Sequence, residues 1–172
     1  MKTNFIVRQI TEADYSKVYN LIKTAFETAE HRDGNEQDFA VNLRNGENYI
    51  PELDLVAERD GKLIGHIMFT KTYVTKPDGS RYNTLMVAPL AVLLEYRSFG
   101  VGSALMKEGL RIAPSMGYQS AFLIGDPNYY QRFGYKRTHL YGINHESMPM
   151  EYLQVKELTQ GALDEVTGLI NM

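Results

Sequence analysis

At 172 residues the chain has material for one domain with a full core and too little for two of ordinary size, so a single domain over residues 1–172 is expected. Hydrophobic residues at 44% and charged residues at 23% exclude the disordered and membrane-embedded classes. A net charge of -3 argues against a surface that neutralises nucleic-acid phosphates, and the lack of cysteine excludes disulfides, thiolate metal sites and a cysteine nucleophile.

Met1-Lys2-Thr3-Asn4 leads to only three apolar residues, Phe5-Ile6-Val7, before Arg8. That is too short for a signal-peptide core, and no later run is long enough to span a bilayer, so a cytoplasmic protein without a membrane partner is expected. Phe5-Ile6-Val7 reads as a short strand. Thr11 and Asp14 have the spacing of a helix cap, and Tyr15, Val18, Tyr19, Ile22 and Phe26 then recur at helical spacing up to about Glu30-His31-Arg32-Asp33-Gly34. A weaker helix is predicted over Gln37–Leu43.

Leu53–Arg59, Asp60-Gly61 and Lys62–Val74 read as a hairpin, because Asp-Gly between two β-rich runs favours a tight turn. Pro77-Asp78-Gly79 is a second turn, and Thr84–Leu94 a mostly apolar strand in which Pro89 cannot donate to a ladder, so that strand should bulge or splay. Val101 to Ala113 continue as an amphipathic helix that stops near Met116-Gly117. Ala121–Ile124 is a strand, Gly125-Asp126-Pro127 a turn, Tyr129–Phe133 a short helix, with strands from Tyr135 and around Tyr152–Val155. This order describes an α/β (α+β) domain with a mixed sheet flanked by helices. A C-terminal apolar face around Leu163, Val166 and Ile170 packs either on the domain or on a partner, leaving monomer and homodimer both open.

Between the apolar strand and the long helix lies Arg97-Ser98-Phe99-Gly100-Val101-Gly102. A strand that runs into Arg-x-x-Gly-x-Gly at a helix start presents backbone N–H groups without intrahelical partners to an anion, and glycine lets a ligand come close. Leu105 stands where a dinucleotide fingerprint needs Gly or Ala, and no Gly-Lys-Ser/Thr of a P-loop exists. An isolated Gly-x-Gly more often marks a tight strand-to-helix turn that binds nothing.

Pro89 to Leu105 resembles motif A of the GCN5-related N-acetyltransferases (GNAT), whose signature is Gln/Arg-x-x-Gly-x-Gly/Ala. Gly125 to Tyr135 resembles the later Phe-Tyr-x-Lys-x-Gly-Phe segment of that family, in the form of its YhbS-like bacterial branch. The branch often has a proline near Leu94, which this chain lacks. The resemblance implies a mixed, mostly antiparallel central sheet flanked by helices and splayed at the central strand. It implies a transferase that moves the acetyl group of acetyl-CoA to an amine of a small molecule or protein by direct attack, without a metal. It places the pyrophosphate on Ser98, Phe99, Gly100, Val101, Gly102 and Ser103 with Arg97 alongside, the pantetheine along Leu90, Ala91 and Val92, and an oxyanion-donating N–H near Val92.

Tyr130 aligns with the tyrosine that such enzymes often use as general acid toward the CoA thiolate, and would contact the cofactor there; the alternative is that Tyr129 and Tyr130 only pack a short helix. For the proton acceptor, Glu27, Glu58, His66 and Asp126 are candidates, with Glu58 taken as the possible base. Glu58 also suits an ordinary strand position, Glu27 a solvated helix face, His66 a satisfied sheet histidine and Asp126 a turn. His31, His139 and His145 lack ligand spacing, so no metal is assigned. The segment Glu27–Ile50 shapes the acceptor side in this fold, and its acidic excess suits a cationic amine. Two alternatives of other classes are an acyl-CoA-binding sensor or scaffold that has lost catalysis and a generic α/β interaction domain.

Overall fold

The computed structural model describes residues 4–29 and 32–172, so the expectations at Met1–Thr3, Glu30 and His31 lie outside the described residues. The elements follow in the order β1 (Ile6–Gln9), α1 (Tyr15–Glu27), α2 (Glu36–Arg44), β2 (Asp54–Arg59), β3 (Lys62–Thr75), β4 (Arg81–Val92), α3 (Val101–Ser115), β5 (Ser120–Ile124), α4 (Pro127–Tyr130), β6 (Lys136–Arg137), β7 (Ile143–Asn144), β8 (Leu153–Glu157) and β9 (Gly168–Ile170). They divide into two compact units, Met1–Thr70 with Ala88–Ile112, and Lys71–Val87 with Ala113–Met172. Strands β3 and β4 and helix α3 each run through both units.

In the first unit β1 pairs antiparallel with β2, and β2 with β3. The hairpin turn has the predicted chemistry, with φ of 50° at Asp60 and 79° at Gly61, the left-handed pair that matches strand twist. A bulge between Ala57 and Glu58 shifts the β2–β3 register, so Val56 faces His66 and Asp54 faces Met68. Val56 and Met68 join a core with Val18, Leu21, Ile22 and Ala25 of α1 and Ala40 of α2. The buried stripe of α1 thus falls at i, i+3, i+4 and i+7 from Val18. Tyr15 and Tyr19, expected on that stripe, lie at its rim. The Tyr15 ring underlies the Arg44 guanidinium at 4.8 Å, and the Tyr19 hydroxyl donates to Asp38 at 3.0 Å.

The start of α1 is tied by Asp14, which is buried. Its Oδ2 accepts from the Thr11 N–H at 2.8 Å and from Arg8 Nη1 at 2.7 Å, while Oδ1 accepts from Arg8 Nη2 at 3.0 Å. On the other face of β3, helix α3 approaches closely because Gly65 and Gly109 lack side chains. A Cβ on Gly65 would lie 2.8 Å from Val101 Cγ1, and one on Gly109 would overlap the buried Phe69 ring.

In the second unit β4 runs parallel to β5 over Leu85↔Ala121 and Met86↔Phe122, a register that ends before Pro89 is reached. This agrees with the expected loss of regular pairing at the proline. Strands β8 and β6 continue antiparallel from β5. Strand β9, absent from the sequence expectation, pairs antiparallel with β3 at Val74↔Ile170, and β7 lies beside it. Leu163, Val166 and Ile170 are buried in the core of this unit with Phe122 and Val155. The sheet is therefore mixed and mostly antiparallel, with helices against it.

Two stability predictions follow from this packing. Gly109→Ala raises helix propensity yet should destabilise the fold by about 1–3 kcal/mol, because the methyl has no room against Phe69; urea melts decide the sign. Hydrogen bonds from Arg8 outweigh burial and hold the Asp14 carboxyl well below the usual carboxylate range. Its contribution is present above the unfolded carboxylate pKa and is lost as pH falls through the folded one. Asp14→Asn should therefore cost about 1–3 kcal/mol at neutral pH, with the gap to wild type shrinking below roughly pH 4, read from denaturant melts against pH.

Candidate active site

The loop from Arg97 to Gly100 carries two left-handed residues, Ser98 at φ 71° and Gly100 at φ 82°, on either side of Phe99. Ser98, Phe99 and Gly100 are exposed, and a Cβ built on Gly100 meets nothing within 4 Å, so open space lies above that backbone. The α3 ladder begins with the Ala104 N–H donating to Gly100 O at 3.0 Å. The N–H groups of Val101, Gly102 and Ser103 precede it and have no intrahelical acceptor. Helix dipole and open N–H groups together make this end attractive to an anion.

Arg97 is placed differently from its expected role beside the anion. Its Nε donates to Val92 O at 3.1 Å and its Nη2 to Ala25 O at 2.7 Å. The side chain thus ties the end of β4 to the C-terminal turn of α1, where carbonyls lack helical partners and a cation is favoured. Of the strand positions expected beside the cofactor, Ala91 is buried while Leu90 and Val92 are half-buried. Just beyond them the Leu93 N–H donates to Ile64 O at 3.0 Å, which anchors the strand end to β3.

The candidate proton acceptors have separate surroundings. Glu58 Oε2 accepts from Arg8 Nε at 3.1 Å, and the residue lines a depression of about 430 Å³ with Asn4, Phe5, Ile6 and the Asp60-Gly61 turn. Glu27 is exposed at the end of α1. Asp126 caps α4 by accepting from the Asn128 N–H at 2.9 Å. His66 is fully buried. Its Nε2 lies 2.7 Å from Asp54 Oδ1, and Asp54 Oδ2 accepts from the Tyr49 hydroxyl at 2.7 Å and Arg44 Nε at 2.9 Å. His66 Nδ1 and Arg44 Nη2 are buried without a partner.

Burial pushes the Asp54 carboxyl up, but the hydrogen bonds from His66 and Arg44 and the positive charge beside it outweigh it and leave the group below its ordinary value. Tyr49, half-buried against the same carboxylate, is pushed up by that burial and by the carboxylate. Asp54, Arg44 and Tyr49 were not singled out as site residues from sequence. The available signal was an aspartate inside Leu53-Asp54-Leu55-Val56, where a buried strand calls for apolar side chains.

In the second unit, Tyr130 closes α4 and packs edge-on to Tyr129 at 4.9 Å and Tyr135 at 6.0 Å between ring centroids. The absence of a side chain at Gly125 makes room for its ring. Burial, then the neighbouring Tyr129 and Asp126, push its phenol up to about 12. His139 is exposed, and His145 Nδ1 accepts from the N–H groups of Ser147 and Met148 at 3.0 Å. Among the described residues no three His, Cys, Asp or Glu side chains gather as a metal site, and no helix is long and apolar enough to cross a membrane.

The family described as "Acetyltransferase (GNAT) domain" matches residues 6–138. YhbS of Escherichia coli K12, an uncharacterised N-acetyltransferase, is 35% identical over 120 residues, covering 69% of this chain and 70% of YhbS. YjhQ of the same strain, also an uncharacterised N-acetyltransferase, is 38% identical over 102 residues, 59% of this chain; the match takes in only 55% of YjhQ. The crystal structure of E. coli YhbS in complex with CoA superposes with a TM-score of 0.87 at 29% identity, covering 98% of this chain and 89% of that one. A GNAT acetyltransferase from Brucella melitensis in complex with acetyl-CoA gives 0.80 at 25% identity, covering 99% and 96%. An anion-attracting helix start behind a strand whose pairing with β5 ends before its proline, on a fold shared along nearly its whole length with these proteins, has one reading: the chain belongs to the GNAT family of acetyltransferases.

Proposed function

We propose that this chain transfers the acetyl group of acetyl-CoA to an amine of a small molecule or protein, and that residues 1–172 act as one domain. The observation that carries the reading is the start of α3, with open N–H groups at Val101–Ser103 beneath an exposed, left-handed Ser98–Gly100 loop. Both similar structures described above hold CoA or acetyl-CoA, and the family match spans that loop. The single-domain reading is supported by β3, β4 and α3, each continuous through both compact units.

On this reading the loop and the first turn of α3 bind the diphosphate through backbone N–H groups. Arg97 contributes by fixing the loop's approach, since its guanidinium is already engaged by Val92 and Ala25. Leu90–Val92 offer the strand edge for the pantetheine amides. The thioester supplies an acyl group activated toward attack by a neutral amine. Tyr130 is the hydrogen-bond donor for the departing sulfur. A phenol near 12 beside a thiol of ordinary pKa about 8.5 would yield its proton only at a cost of roughly 5 kcal/mol, so Tyr130 stabilises the thiolate by hydrogen bonding instead of surrendering the proton.

Release of free CoA thiol from acetyl-CoA with a panel of primary amines tests the activity; thiol release that no amine accelerates would leave only CoA binding. Gly100→Glu puts a side chain at φ 82° and a negative charge where the diphosphate is proposed, and should raise the KM for acetyl-CoA by at least about tenfold. Turnover equal to wild type would remove the loop from the site. Tyr130→Phe should lower kcat by about 10²-fold with CoA affinity retained, by the same factor at every pH from about 6 to 9, because the phenol stays protonated throughout. A factor that changes across that range would show that Tyr130 gives up its proton.

A further inference from the structure

Two polar side chains, Asp54 and His66, lie in the core of the first unit where the surrounding pattern calls for apolar ones, with the partly buried Arg44 and Tyr49 against them. Asp54 and His66 have no exposure, and the Arg44 side chain has 7%. A deprotonated carboxylate only accepts hydrogen bonds, so the contact of His66 Nε2 with Asp54 Oδ1 requires that Nε2 carry the hydrogen. Arg44, on the other carboxylate oxygen, supplies the compensating positive charge, and Tyr49 fills the remaining acceptor position. Nε2 thus gives its hydrogen to Asp54, and Nδ1 is left buried without a partner among the described residues. A buried ring nitrogen without a partner calls for one that the described residues do not provide.

His66 lies in β3 next to the end of β4. The neighbouring Gly65 has no side chain, and a Cβ there would lie 3.3 Å from Ala91 O; one residue earlier, Ile64 O accepts from the Leu93 N–H. His66 thus stands beside the Ala91–Leu93 stretch of β4, about one strand spacing of 4.8 Å away. Its register partner Val56 and the adjacent Met68 place it on the face covered by α1 and α2. From α1 that face receives apolar Val18, Leu21, Ile22 and Ala25, and from β4 Ala91 and Leu93; Asp54 meets His66 directly, Arg44 and Tyr49 join it through Asp54, and Tyr96 packs against the same core.

We propose that His66 Nδ1 is the proton acceptor of the transfer, reached from the amine through one water, and that Asp54 is the residue that positions it. This rests on the acetyl-transfer reading above. The substrate ammonium gives one proton through the water to Nδ1, and the neutral amine attacks the thioester carbonyl. The N–C bond forms and the C–S bond breaks. A second proton from the same nitrogen goes to the departing thiolate, yielding the amide and free thiol, and Nδ1 returns its proton to solvent. Arg44 and Tyr49 brace Asp54 from α2 and the loop before β2, so the acceptor-side segment and the proton acceptor are locked into one unit.

Glutamine places a side-chain nitrogen where histidine has Nε2, so His66→Gln preserves the donor to Asp54 and deletes Nδ1. The assay uses acetyl-CoA with spermidine, tyramine and a lysine peptide as acceptors. On any amine that wild type acetylates, His66→Gln should lower kcat by about 10²-fold or more, leave the KM for acetyl-CoA within about twofold, and abolish the acid limb of the kcat–pH profile. A variant that keeps both kcat and the acid limb overturns the proposal, and the histidine is then only a packed polar residue. A wild type that acetylates none of the three amines counts against the acetyl-transfer reading instead. Long-range ¹H–¹⁵N correlation spectra of the wild-type histidines then decide His66 independently, whether or not the variant folds. A bare Nδ1 whose resonance moves on addition of acetyl-CoA supports the proposal, whereas a hydrogen on Nδ1 or a resonance indifferent to acetyl-CoA overturns it.

Discussion

A carboxylate wholly removed from water persists only where donors surround it, and Asp54 collects them from three stretches of chain: Arg44 at the end of α2, Tyr49 in the following loop and His66 on β3. Removing one partner from such a cluster typically costs about 3–5 kcal/mol, because the others are left buried and unpaired. The cluster therefore dictates where the connection between α2 and β2 runs, and through it the face that α2 lends to the core around Ala40 and Val56.

The meeting of Asp54 with His66 depends in turn on the bulge at Ala57 and Glu58. Counted back from the turn pair Arg59↔Lys62 in a regular ladder, His66 would face Leu55 and point away from Asp54. The extra residue moves the register by one, so His66 faces Val56 on the same side as Asp54. A one-residue slip exchanges the two faces of a strand, which is why a local irregularity determines a long-range polar contact. Gly65 uses the opposite face of the same stretch. By having no side chain it lets Val101 and Leu105 of α3 press on the sheet, which seats the anion-attracting helix start directly across β3 from the buried histidine.

Arg97 illustrates how a motif residue changes meaning in three dimensions. In sequence, a cation next to Gly-x-Gly suggests a ligand for phosphate. Folded, its guanidinium satisfies two backbone carbonyls, one of them at the end of α1, and so holds the loop in position from behind. The attraction for an anion then rests on backbone dipoles and N–H groups, which need no side chain and leave the surface at Ser98–Gly100 open.

Features set by neighbours along the chain were legible from the residues alone. The Asp60-Gly61 hairpin, the Thr11–Asp14 cap, the strand–loop–helix around Gly100 and the Tyr129–Tyr130 segment all follow from local turn chemistry, helical spacing and side chains a few residues apart. The GNAT resemblance came from two of these segments in order. Tertiary structure decided what depends on register and on distant partners: β9 pairing back onto β3, Arg8 joining Glu58 to Asp14, Arg97 engaging Ala25, and Asp54 gathering Arg44, Tyr49 and His66. No local pattern specifies these, because a buried charge is tolerable only once the fold has brought its counter-charges and donors within about 3 Å.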